Sequence, residues 1–438
     1  MPELAPEATF RTSKGILVLL EESRDLPLVN FELVLRTGAT HEPLSKAGLA
    51  RMTARMIRMG STQVNHAAVE EAIDRLGAQL SVQVAMSYVA FQGAVIARNI
   101  EPMFKLLGHL LRYPAFRVSD LQKLKREATS ELIDMRDNDR ALAFMHFRQA
   151  LFGKHAYGRS TLGTESTLRA IGQKDIQRFH RKHYTTANLI VGLAGPLRRS
   201  EVARLLDIYF ADLQPGRPLG SDIPEPKIAK GRRIFIVDKP ERTQSQIVIG
   251  TLGTHFSDPD HDALQVANAA FGGTFTARLM REVRSKRGWS YGASSRLGHD
   301  RRRDAWWMWT FPELSNTIDC IRLQLELYDT LVRDGITKSE LAFAKSYLIN
   351  SYAFEWDTAA KRIDQRITLQ VMGLPENYYA NYLKRIRAVT LAQANAALKR
   401  RLSRDRLVVT VVSTAKAIEN DLRHLPGVST LRVLPWNH

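Results

Sequence analysis

Arg284 and Tyr291 are two side chains whose types and spacing allow them to converge on one ligand. A guanidinium presents five N–H donors in a rigid fork, and a phenol beside it adds one O–H. Local signals place them on either side of a corner. Gly272-Gly273 ends one helix, and Thr274 or Thr276 is the expected cap of the next. That second helix carries Leu279, Met280 and Val283 inward and turns Arg281, Arg284 and Lys286 elsewhere. Gly288 stops it, and Trp289 to Ala293 restarts the chain as a strand. The same residues also fit a surface arginine near a half-buried tyrosine, and composition alone favours that reading.

Other chemistries are excluded by inventory. One cysteine, Cys320, rules out an internal disulfide, a cysteine-based zinc site and a CxxC redox pair. None of the twelve histidines begins an HExxH or HxxEH. His180 and His183 are three apart on a helix, but Arg181 and Lys182 separate them and no carboxylate follows nearby, so both are read as surface residues. No GxSxG, P-loop or Rossmann fingerprint is present. Sixty-three Lys+Arg against 45 Asp+Glu leave a net charge of +18, which by itself invites a nucleic-acid or acidic partner. The basic runs, 123–126, 231–233, 301–303 and 399–401, are scattered and lack any RRM, KH, zinc-finger or helix-turn-helix framework. Solvated faces are their default reading. A basic cavity wall that attracts anionic peptide or an acidic partner subunit is the sharper one.

The elements that must position these residues follow from the chain's organisation. At 438 residues, 44% apolar and 25% charged, it is an ordinary globular chain with more than one hydrophobic core. Residues 214–231, with four prolines and three glycines, read as a linker between residues 8–213 and 232–438. The two halves repeat each other at an offset of about 220 residues. An apolar strand and Gly turn open each half, at Phe31–Leu35 with Thr37-Gly38 and at Gln246–Gly250 with Leu252-Gly253. Ser119-Asp120-Leu121 and Ser339-Glu340-Leu341 open long helices, with the serines as expected N-caps. Apolar strands, 189–193 and 407–411, close both halves. The predicted fold is α+β: two homologous domains, each a mostly antiparallel sheet with helices packed mainly on one face.

The segment from Gly272 to Gly292 resembles the second-half signature of the pitrilysin/insulinase/mitochondrial processing peptidase family of inverted zincins. The matching residues are Gly272-Gly273, Arg278-Leu279, Glu282, Arg284, Lys286-Arg287-Gly288 and Tyr291-Gly292. The resemblance continues over nearly the whole chain. Gly153 to Arg159 with Gly163-Thr164-Glu165 is similar to the family's GxHPYGRxxxGT, with Ala156 replacing the usual proline. Asp175-Ile176, Phe179, His183-Tyr184, Asn188 and Val191 match the passage that ends its first domain. The resemblance implies that Arg284 and Tyr291 contact bound peptide and that Tyr291 supports the oxyanion of a tetrahedral intermediate.

Catalytic members of the family carry HxxEH on a first-half helix and a further glutamate some 76 residues on. Lys46 to Gly60 resembles that helix, including Gly48-Leu49-Ala50 and Met56, but the two histidine positions hold Arg51 and Arg55 and the general-base position holds Ala54. A guanidinium has no lone pair to offer zinc. Counting on from Arg55 reaches Glu131, where the third ligand would fall. A carboxylate stranded there needs a cation, so Arg51 or Arg55 is expected to pair with Glu131 or Glu127 in place of a metal.

The resemblance thus implies a non-catalytic subunit of a bacterial two-subunit, heterodimeric zinc metallopeptidase, inactive alone, contributing Arg284 and Tyr291 in trans to proteolysis at a homologous partner's HxxEH site. Zinc is expected in that catalytic partner, and no cofactor or metal on this chain; peptide would lie extended along a sheet edge of the partner. A purely structural inactive homologue, like the core subunits of respiratory complex III, is the alternative. A nucleic-acid binder is an outsider motivated only by charge, and the leading reading has no nucleic-acid partner. No apolar stretch approaches the roughly 18 to 20 residues of a membrane span. The N-terminus has neither a basic n-region nor an apolar h-region, so no signal peptide is expected in this chain. It is also compatible with a removed leader, and periplasm and cytoplasm both stay open.

Overall fold

The computed structural model describes residues 8–220 and 223–437. Two six-stranded sheets flanked by helices make up the α+β architecture. The first contains β1 (Thr9–Arg11), β2 (Leu17–Glu22), β3 (Leu28–Leu35), β4 (Gln79–Val84), β5 (Val89–Ile96) and β6 (Leu189–Gly195), in the order β1-β2-β6-β3-β5-β4. The second contains β7 (Gly231–Asp238), β8 (Gln246–Leu252), β9 (Ala293–Leu297), β10 (Ala305–Thr310), β11 (Arg406–Ser413) and β12 (Val428–Pro435), in the order β12-β7-β11-β8-β10-β9. Apart from the edge strands β1 and β12, the sheets repeat one path. β2-β6-β3-β5-β4 and β7-β11-β8-β10-β9 each begin with a parallel pair and continue antiparallel. The edges differ: β1 runs antiparallel to β2, whereas β12 runs parallel to β7. Both sheets are therefore mixed, the second more so.

β6 and β11 lie in the middle of their sheets, and every residue of β6 and of β11 beyond Arg406 is buried. Continuous apolar strands of this kind require cover on both faces. Leu189, Val191 and Leu193 point to one face of β6, while Ile190 and Ala194 point to the other, where they join Leu17, Leu19, Ile363, Ile367 and Val371. The helix Ala359–Met372 supplies that second cover. In the other sheet the helix Asp139–Phe152 packs on β11, β8 and β7 through residues that include Phe147. Both contacts require glycine beneath them. A Cβ on Gly192 would stand 2.5 Å from Ile367 Cδ1, and one on Gly250 would stand 2.7 Å from the Phe147 ring and 2.3 Å from the Trp306 carbonyl.

By packing, the chain divides into two compact units, one of Met1–Leu132, Ser160–Asp222 and Phe354–Tyr378, the other of Ile133–Arg159, Ile223–Ala353 and Tyr379–His438. This division differs from the linear one at 213 and 232, because each unit takes its second covering helix from the opposite half of the sequence. The linker reading covers 214–220 and 223–230, which carry no helix or strand, but Gly231 already opens β7, and positions 221–222 lie outside the described residues.

Two local expectations are corrected. The helix Lys338–Ser351 is capped by Thr337, whose hydroxyl accepts from the Glu340 N–H while the Glu340 carboxylate accepts from the Thr337 N–H; Ser339 is already helical. Ser119 likewise lies inside its helix, Val118–Asp137. His180 and His183 are not surface residues. His183 is 2% exposed, with its ring 4.4 Å from Phe179, and burial holds its pKa down at about 3. The His180 Nε2 lies 2.8 Å from the Leu111 carbonyl, and burial lowers its pKa to about 4.

Glu32 sits in β3 opposite Gly192, half-buried among apolar neighbours, and shares a small enclosure with Gln83, Gln92 and Asp364. Burial first, and the Asp364 charge second, raise its pKa to about 7. Between the ordinary value of 4.5 and about 7 the folded chain keeps a proton that the unfolded chain has lost, so this group's contribution to stability falls as pH rises through that window. Glu32→Gln should therefore stabilise the protein at pH 8 by on the order of 2 kcal/mol and not at pH 4.5. Urea unfolding at the two pH values measures the difference; an equal effect at both would show that Glu32 is not held protonated.

Candidate functional site

The helix Leu49–Arg58 carries the first group of residues. The Glu42 carboxylate accepts from the Gly48 and Ala50 N–H groups at 3.0 and 2.6 Å, placing negative charge at the positive end of the helix. Leu49, Ala50, Met52, Ala54, Met56 and Ile57 are buried, which leaves Arg51 and Arg55, one turn apart, side by side on the opposite stripe. On the helix Val118–Asp137, Glu127 and Glu131 are spaced the same way. The two pairs interlock. Arg51 Nη1 donates to Glu131 Oε2 at 2.6 Å, Arg55 Nη1 to Glu131 Oε1 at 2.8 Å, and Arg55 Nη2 to Glu127 Oε2 at 2.8 Å. Partial burial pushes the Glu131 pKa up, but the hydrogen bonds and charges of Arg51 and Arg55 outweigh it and hold the carboxyl below its ordinary range.

The ladder lines one wall of a cleft of about 460 Å³. Arg58, tied bidentately to Glu70 at 2.9 and 2.8 Å and to the Leu80 carbonyl of edge strand β4, lines it as well. These residues do not suit a zinc ion. Both Glu131 oxygens are occupied by guanidinium donors, Arg51 and Arg55 lack lone pairs, and Ala54, fully buried, has no group to move a proton. Among the described residues no three His, Cys, Asp or Glu side chains cluster as a metal site.

The second group stands in the other unit. The helix His261–Phe271 ends at Gly272, and after a loop the chain makes one α-helical turn, Arg278–Met280, that widens into a π-helical turn, Arg281–Ser285. Ala277, not a threonine, occupies the N-cap and has no side-chain acceptor; its N–H is taken by the Thr274 carbonyl instead. Leu279 and Val283 anchor the turn in the core, and Arg278 is clamped on Glu340 at 2.9 and 2.6 Å. Gly288, at φ +67°, closes it. The following strand starts only at Ala293, so Tyr291 stands in the preceding turn and is 76% exposed, not half-buried. The Arg284 guanidinium carbon lies 4.2 Å from the Tyr291 ring centre and 4.9 Å from that of Phe275. Phe275 escaped the sequence reading; its one signal is an aromatic residue between two threonines in a glycine loop, outside any apolar periodicity.

Residues 17–165 match the model of the insulinase family, peptidase family M16, and residues 170–348 match that of the peptidase M16 inactive domain. The chain belongs to the M16 peptidase family. An uncharacterised zinc protease of Mycobacterium tuberculosis is 26% identical to this M16 chain over 416 residues, 92% of each protein. A Helicobacter pylori relative named a non-peptidase homolog is 22% identical over 401 residues, 91% of this chain and 92% of that protein. The crystal structure of a peptidase M16 inactive domain from Pseudomonas fluorescens superposes with a TM-score of 0.84 at 25% identity, over 92% of this chain and 97% of that one. A chain of complex III2 from Candida albicans shares the fold, with a TM-score of 0.78 at 15% identity over 95% and 98% of the chains.

Glu131→Gln retains shape and removes the charge that two arginines face. At pH 7 it should lower stability by about 1 kcal/mol, between an exposed pair and a fully buried one. The difference should shrink as pH falls below the usual glutamate range, where the parent carboxylate is protonated too. Equal urea midpoints at pH 7 would show that the ladder contributes nothing.

Proposed function

We propose that this M16 chain is a non-catalytic subunit that holds peptide for a homologous, zinc-bearing partner. The observation that carries the reading is the Arg51–Glu131–Arg55–Glu127 ladder. Guanidinium charge stands where the family's metal and histidines would be, in a helix that otherwise keeps the family pattern, so the site is a degenerate zinc site. Peptide hydrolysis then has to use a metal held elsewhere. Tyr291, exposed, and Arg284, half-buried and in contact with it, are available to bind peptide and to steady the oxyanion that forms at the partner's zinc. The reaction follows the logic of a split site: the partner supplies the activated water, and this chain supplies orientation and a donor. The likeness to a chain of complex III2 favours a second reading, a structural homologue without peptidase activity in any pairing.

Mixing separates the two. Zinc-dependent peptide cleavage is expected only when this chain is combined with an HxxEH-bearing homologue, and Tyr291→Phe should reduce kcat at least tenfold, about 1.4 kcal/mol of transition-state stabilisation. Unchanged cleavage with Tyr291→Phe would remove the role of the phenol, and absence of cleavage in every pairing would establish the scaffold. The degenerate site has its own test. Arg51→His/Arg55→His, which sets two imidazoles one turn apart opposite Glu131, should take up about one zinc per chain. A variant that folds and binds no zinc would remove the inherited-site reading.

A further inference from the structure

The turn that carries Arg284 is unevenly charged. Residues 281–287 hold four cations, Arg281, Arg284, Lys286 and Arg287, and one carboxylate, Glu282. Glu282 is taken by Lys286 at 2.8 Å and Arg287 at 3.1 Å, with Arg281 at 3.6 Å. Arg284 receives no carboxylate. Among the described residues its guanidinium contacts two rings, Tyr291 and Phe275, and neither an ion pair nor a side-chain hydrogen bond occupies its N–H fork. Both rings are largely exposed, Phe275 at 67% and Tyr291 at 76%. Large apolar side chains left in water beside a cation are costly unless a ligand covers them. Contact with the two rings holds the guanidinium in place without using its N–H donors, which remain for an acceptor. The acceptor that matches these donors with two parallel bonds is a carboxylate.

We propose that Phe275, Arg284 and Tyr291 form a carboxylate receptor that selects the peptides this chain holds. A terminal or side-chain carboxylate of the peptide docks on the Arg284 fork, and the neighbouring apolar part of the peptide covers Phe275. The proposal rests on the reading of Arg284 and Tyr291 as peptide contacts, and adds to it a chemical class of ligand and Phe275 as a residue that sets specificity. Net positive charge over the turn attracts such a ligand before contact.

The test uses the full chain and four fluorescent versions of one peptide: a single glutamate with a free C-terminus, the glutamine analogue, the C-terminal amide, and the doubly neutral form. Anisotropy at about 0.15 M salt gives the Kd values. The doubly neutral peptide should bind about tenfold or more weakly, and the single replacements identify which carboxylate is used. Arg284→Lys, which keeps charge but loses the fork, should erase the discrimination. Phe275→Ala should weaken all four peptides several-fold with an unchanged urea midpoint. If all four bind equally and Arg284→Ala weakens them alike, the carboxylate receptor is overturned and the peptide-contact reading survives. If none binds, or Arg284→Ala changes none, both fall.

Discussion

The architecture depends on two central strands that are apolar on both faces. β6 and β11 expose almost nothing, and a strand of that kind can exist only between two layers of side chains. One face is packed by helices that lie between the strands of the same half of the chain, such as Ile100–Arg112 on β5 and His261–Phe271 on β9. The other is covered by Ala359–Met372 in one unit and Asp139–Phe152 in the other, each from the opposite half of the sequence. Gly192 and Gly250 mark how close these helices come, since a methyl group at either position would meet side chain or backbone. Two copies of one domain are thus interdependent by composition. Neither half of the chain contains everything its own sheet needs.

The Arg–Glu ladder joins two helices that present side chains one turn apart toward each other, with Glu131 shared by Arg51 and Arg55. Partial burial alone would raise the Glu131 pKa, whereas the two guanidinium groups hold it below its ordinary range. The donors and acceptors of the ladder satisfy one another, and a guanidinium cannot act as a Lewis acid toward a bound oxygen. The cluster of Arg284 with two exposed rings has the opposite character, with a cation whose donors meet no side-chain acceptor among the described residues and apolar surface that water covers poorly. One site is closed upon itself, and the other is open to a ligand.

The chain's M16 relatives are named both zinc protease and non-peptidase homolog, and its fold matches that of an M16 inactive domain over 92% of its length. Fold similarity at 14–15% identity to other solved structures speaks to architecture alone. Function has to be argued from which donors are occupied and which are free.

Much of this was legible in the residues themselves. Element order announced the duplication, and the spacing of Arg51 and Arg55 announced that they stand together, since local spacing on a helix decides which side chains share a face. The capping box of Thr337 and Glu340 was also written in the sequence, two residues upstream of the serine that first suggests a cap. Burial of His183 was not legible, because a polar side chain's environment depends on what packs against it, here Phe179 and His41. Nor was the exchange of segments, since an apolar helix face does not name the sheet it will cover. The sequence by itself determined the family pattern, the repeated domain and the pairing of Arg51 and Arg55 on one helix face, all matters of residue type and near spacing. Only the tertiary structure decided that Glu131 is shared by two arginines, that Phe275 joins Arg284 and Tyr291, and which helix closes which sheet. Those contacts join residues far apart in the chain or across an irregular turn, where spacing along the backbone carries no geometry.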